Sequence, residues 1–277
     1  MQKKVWLFAG PTAVLSAAGA LLRSLELRGS LDESTMLMDF QAPSAILLAL
    51  TLLALAITAL PAARLTPEQG RVSYERSFHG AGTAAVGALS LLLLLAGAVL
   101  GLRASRGLAE GYFSALMALM AALGGIGWFS LGLDALRRKK GRYLSALFPV
   151  LFCCVFLILY YKEYAAQPAL LYTLYPFLTL CDALCALHLL SGYTLGHARP
   201  RLAVFLCFFG FYLCAVALPG VPDAAYRLFF IALGLELGTH GVCLLLPHPL
   251  APEPEAAEPP EAPEAPASDA SAGETEA

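Results

Sequence analysis

The sequence predicts an all-α fold: a polytopic transmembrane helix bundle of about eight spanning helices joined by short loops. Three observations carry that expectation. Hydrophobic residues make up 58% of the chain and charged residues 14%, against about 45–50% and about 25% in soluble domains. Eight apolar stretches, roughly 5–22, 43–62, 81–102, 113–136, 144–161, 169–191, 201–219 and 226–246, approach or exceed the ~20 residues that a helix needs to cross a bilayer core. Finally, the runs do not alternate. LSLLLLLAGAVLGL (89–102) has no period-two pattern of the kind a membrane barrel strand requires.

The first stretch, with Lys3-Lys4 before it and SAAGA near its end, also has the parts of a cleaved leader. Pro11 interrupts the apolar segment and further spans follow, so an uncleaved first helix is expected. The connector LRGSLDESTMLMDFQ leads to the second span, and PAARLTPEQGRVSYERSFHG, with room for a short interfacial helix, leads to the third. The third span carries Gly97-x-x-x-Gly101, and the fourth a small-residue stripe of Ser114, Ala118 and Ala122. Both let helix backbones approach closely. Asp134, near the end of the fourth span, has Arg137 three residues on as a partner. The fifth span holds Phe152-Cys153-Cys154, the sixth CDALCALHLL (Cys181–Leu190), and the eighth Gly234-x-x-x-Gly238. The second and sixth spans open similarly, QAPSAILLAL against QPALLYTLYP, but no other pair of segments supports an internal duplication.

Residues 1–247 form the expected membrane domain. Residues 248–277 form a Pro/Glu/Ala-rich acidic tail with no aromatic residue, too poor in apolar surface to offset chain entropy and so expected to be disordered. Eight of the 20 acidic residues lie there, which leaves the body with 18 basic against 12 acidic residues.

Orientation follows from the basic residues. The loop RRKKGR (137–142) has five of them and no acid. Placing it in the cytosol puts both termini there too, in a cell membrane of expected bacterial origin. The bilayer is the first expected partner, with another membrane protein or a second copy of the chain beyond it. Basic residues scattered among apolar spans argue against nucleic acid. All seven cysteines fall within apolar runs, where a thiol acts as a small hydrophobe rather than part of a disulfide framework.

An ionisable group at mid-membrane depth costs about 2.5–3.5 kcal/mol on insertion scales and marks a functional residue by default. Asp182 and Glu236 meet that test, near the centres of the sixth and eighth spans. Both spans run in the same direction, so the two acids are expected at similar depth. Each is followed by a histidine, His188 about 9 Å further on and His240 about 6 Å further on at 1.5 Å per residue. The four form the expected proton, ion or ligand pathway. Cys181, Cys185 and His188 share one helical stripe with donors suited to zinc or copper, though no specific metal motif occurs. Asp182 only borders that stripe, about 120° from His188. The bland alternative makes all four polar residues packing groups that bond neighbouring helices, each bond worth about 0.6–2 kcal/mol.

No HExxH, paired CxxC, Walker A, GxSxG or suitably placed GxGxxG pattern is present. No catalytic residue or cofactor is therefore expected. The sequence favours a non-enzymatic membrane component of assembly or sensor type. A small-solute, ion or proton transporter using Asp182 and Glu236 comes second, and an intramembrane metal-dependent enzyme third.

Overall fold

A computed structural model describes residues 2–29, 42–63, 74–78, 80–105, 108–164 and 170–246. The elements, in order, are α1 (Gln2–Gly29), α2 (Ala42–Ala63), a four-residue α3 (Tyr74–Ser77), α4 (Ala81–Ala104), α5 (Leu108–Leu136), α6 (Tyr143–Tyr164), α7 (Leu170–Thr194), α8 (Pro200–Ala217), a 3-10 turn (Leu218–Gly220) and α9 (Ala224–Leu245). Among the described residues, all helices but α3 are long and apolar enough to span a bilayer, eight in all. No strand occurs among the described residues. The 30–41 connector and the acidic tail lie outside the described residues, and α3 falls where a short helix between the second and third spans is expected.

Local chemistry sets the helix ends. Pro200 opens α8 at a position where its missing N–H costs nothing. Asp223 caps α9 by accepting a 2.7 Å hydrogen bond from the Ala225 N–H. At 1.5 Å per residue, the 22 residues of α6 give a rod of about 33 Å, matching a core of about 30 Å. Helix α1 runs well past the expected limit at residue 22, and so draws Arg23 and Glu26 into the protein.

Helices α4 to α9 close into a ring: each packs on the next, and α9 returns to α4. Helices α1 and α2 pack together outside the ring, against α8. Glycines bring the tightest pairs together. A methyl group on Gly87 would stand 2.8 Å from the Trp128 carbonyl oxygen, and one on Gly132 2.9 Å from that of Thr83, so α4 and α5 touch backbone to backbone. Gly97 makes room for the Phe229 ring and the Ala225 carbonyl oxygen, which joins α4 to α9. Inside the ring, Phe152, Phe156, Phe229 and Phe230 pack ring against ring, mostly edge-on or tilted, with centroids 5.3–5.8 Å apart. Outside it, Leu92, Leu119 and Ile158 stand more than half exposed, as a lipid-facing surface allows and a water-facing one discourages.

The two ends of the bundle differ. Gly141 in the basic loop abuts Tyr74 and Thr194. Phe78 packs edge-on against His240, and Ala9, Gly82 and Leu246 border one groove. The start of α1, the start of α4 and the end of α9 therefore gather at the end that carries Arg137–Arg142. The opposite end holds Ser105, Lys162, Asp223 and Tyr226.

Candidate functional site

Glu236 is almost wholly buried on α9, and a helical turn later so is His240. The i, i+4 spacing stacks them on one face. His240 Nδ1 lies 2.7 Å from the Glu236 carbonyl oxygen and 3.4 Å from Glu236 Oε2. A carbonyl only accepts, so Nδ1 is the protonated donor and Nε2 is the atom left to take up or release a proton. Ser90 of α4 adjoins the carboxyl without reaching hydrogen-bond geometry, and both Glu236 Oε1 and Ser90 Oγ lack a hydrogen-bond partner.

Beside His240 lies a cavity of about 20 Å³, bordered also by Tyr74, Trp128, Leu187 and Ser191. A buried water needs about 10–15 Å³ and two to four polar partners, so the space suits one water and nothing larger. The Tyr74 hydroxyl donates to the Leu131 carbonyl oxygen at 3.2 Å, and Ser191 Oγ donates to that of His188 at 2.7 Å. Each hydroxyl oxygen keeps acceptor capacity. Burial first, then the nearby Glu236 and Asp134 carboxyls, push the Tyr74 phenol far above its ordinary range, so it serves as a neutral group. Asp134 stands closer to the end of the bundle, its Oδ2 3.9 Å from Arg142 Nε. It therefore pairs across the basic loop rather than with Arg137.

Asp182 occupies a separate place. Its carboxyl is buried against Gly210 of α8, and Oδ2 has no hydrogen-bond partner. A methyl group on Gly210 would collide with Asp182 Oδ2 and would also lie 2.8 Å from Leu237 Cδ1. Asp182 and Leu237 thus meet the same point of α8, which sets Asp182 level with the Glu236–Leu237 step of α9. The two acids nevertheless face different neighbours. Helix α8 stands between α7 and α9, and residues 236 and 237 point about 100° apart, so Leu237 meets α8 while Glu236 turns to α4.

The rest of the CDALCALHLL stripe points the other way. Cys181, Cys185 and His188 are all exposed on the outer surface of α7. The 120° between Asp182 and His188 leaves room for only one of them to face inward, and the carboxylate is the residue buried. Among the described residues no three His, Cys, Asp or Glu side chains gather closely enough to hold a metal ion.

One buried polar cluster escaped the sequence reading. Arg23 is 1% exposed and lies 2.5 Å from Glu26, with its guanidinium 5.2 Å from the Tyr175 ring centroid. Thr51 of α2 then links the hydroxyls of Tyr175 and Tyr212 at 3.0 and 2.9 Å. The signal was present in LLRSLELRG, where opposite charges three residues apart have leucines between and around them. No protein family, curated protein or solved structure matches this chain.

Proposed function

We propose that this chain is a proton-handling membrane protein, non-enzymatic, in which the Glu236–His240 pair exchanges a proton with the end carrying the basic loop. Asp182 serves as a second station at the same depth. The observation that carries this reading is that Glu236 Oε1 and Asp182 Oδ2 are both buried without a donor. Acids kept for packing bond firmly to a neighbouring helix; Asp182 Oδ2 makes no such bond, and Glu236 has only Ser90 of α4 close by. The one-water cavity supports a proton rather than a larger solute as cargo. It lies on the His240 side of Glu236, towards Asp134 and Arg142. With Nδ1–H held between the Glu236 carbonyl oxygen and Oε2, Nε2 can take up or release a proton, and the imidazolium formed there favours loss of the proton from the Glu236 carboxyl.

The test is proton flux in liposomes holding the purified protein, driven by an imposed pH gradient. Wild-type protein dissipates the gradient. Glu236→Gln, which keeps size and removes the proton-binding oxygen, lowers the rate by about tenfold or more, as expected when a positioned acid–base group is lost. Equal flux in wild type, Glu236→Gln and empty liposomes would remove the proposal.

A second reading, an assembly or sensor-type subunit without transport, draws on α2. Only 17% of its spanning window is buried within the chain, which leaves a broad face for another membrane protein. In that case crosslinks from Leu52 or Leu53 would capture a partner, and the liposomes would show no flux.

A further inference from the structure

At the end away from the basic loop, α4, α5, α6 and α9 enclose a half-open cavity of about 320 Å³, at the small end of the range for small-molecule sites. Its chemistry is divided. The rim carries Lys162, Glu163 and Asp223, at or near the ends of α6 and α9. The wall below consists of Gly97, Ala98 and Gly101, which project almost nothing, and the floor reaches Met117, Leu159 and Phe229. Met117 lies nine residues inside α5 and Phe229 five inside α9, so apolar space extends about 8–14 Å below the rim at 1.5 Å per residue.

The rim charges are not neutralised by one another. Lys162 Nζ sits 3.1 Å from the centroid of the Phe113 ring and has no ion pair among the described residues. Glu163 accepts a 2.6 Å hydrogen bond from the Tyr226 hydroxyl, and Asp223 Oδ1 accepts from the Ala225 N–H. Each carboxylate keeps a second oxygen. One cation and two anions give the rim a net negative charge, which selects against a purely anionic ligand. A phosphate beside Lys162 with a primary ammonium beside Glu163 and Asp223 satisfies all three, because an ammonium has three donors to give.

We infer that this cavity binds a phospholipid with an ammonium headgroup, of the phosphatidylethanolamine type, with the start of an acyl chain lying along the Gly97–Gly101 wall. The site shares no residue with the Glu236–His240 pair and does not depend on its function.

The test is native mass spectrometry of delipidated full-length protein titrated with phosphatidylethanolamine, phosphatidylcholine or phosphatidylglycerol of identical chains. Phosphatidylethanolamine is expected to give the tightest first adduct. Lys162→Gln and Glu163→Gln, both at exposed positions, should each weaken it about tenfold, the usual worth of a charge-assisted hydrogen bond, and leave later adducts unchanged. A thermal melt with each lipid gives a second readout for the same variants. Equal first binding of the three lipids, or no change in either variant, overturns the assignment. So does full competition by water-soluble glycerophosphoethanolamine at the lipid's own concentration, which would make the ligand a free solute.

Discussion

Asp182 rests its carboxyl on the backbone of Gly210, in the only space that a missing side chain leaves on that face of α8. The contact explains why this helix tolerates a mid-span acid: glycine makes a pocket that any Cβ would fill. It also predicts a coupling. Gly210→Ala should destabilise the protein by about 1–3 kcal/mol through overpacking. The same change in an Asp182→Ala background should cost at least about 0.5 kcal/mol less, the threshold at which contacting residues show interaction. Thermal unfolding of the four proteins in one detergent checks this; strictly additive effects would separate the two residues.

Arg23 and Glu26 make the second prediction. Removing one member of a buried ion pair strands the other, at a cost of about 3–5 kcal/mol, whereas replacing both with apolar residues of similar volume is often neutral. Arg23→Leu should therefore unfold more readily than Arg23→Leu/Glu26→Leu, which should approach wild type. Unfolding midpoints decide it, and a double variant weaker than the single would contradict the pairing.

The cysteines supply a third. Cys181 and Cys185 are exposed, and Cys153, Cys207 and Cys214 are buried. In detergent, whose molecules exchange over the outer surface, a small apolar maleimide that partitions into the micelle should modify the first two well before the last three, as peptide mass mapping would reveal. Early loss of Cys207 would place α8 wrongly.

Much of this architecture was legible in the sequence, because span length is fixed by bilayer thickness and a continuous apolar run declares itself without a partner. The depth of Asp182 and Glu236 was legible for the same reason: counting residues along two helices of equal direction gives their level. Direction around each helix was harder. Angles alone set Asp182 about 120° from His188, which left both open as inward-facing residues; that Asp182 turns inward depends on Gly210 of another helix. The glycines of α9 were clearer: Gly234 and Gly238 meet Cys214 and Phe211 of α8, while Glu236 turns to α4. Arg23 was lost to a rule that ends spans at charges, a rule that fails when Glu26 and the Tyr175 ring compensate the charge inside the protein. Ser90 and Tyr74 carried no signal of their own, as a serine in an apolar helix and a tyrosine in a loop are each common.

On the proposed function, Glu236 binds and releases a proton from within the bundle. Infrared difference spectroscopy of the protein in lipid, stepped in pH, reads that event as a carboxylic-acid carbonyl band. The expected band changes with pH, is absent from Glu236→Gln, and shifts in frequency when His240 is replaced by Gln. A spectrum identical in wild type and Glu236→Gln at every pH would contradict it.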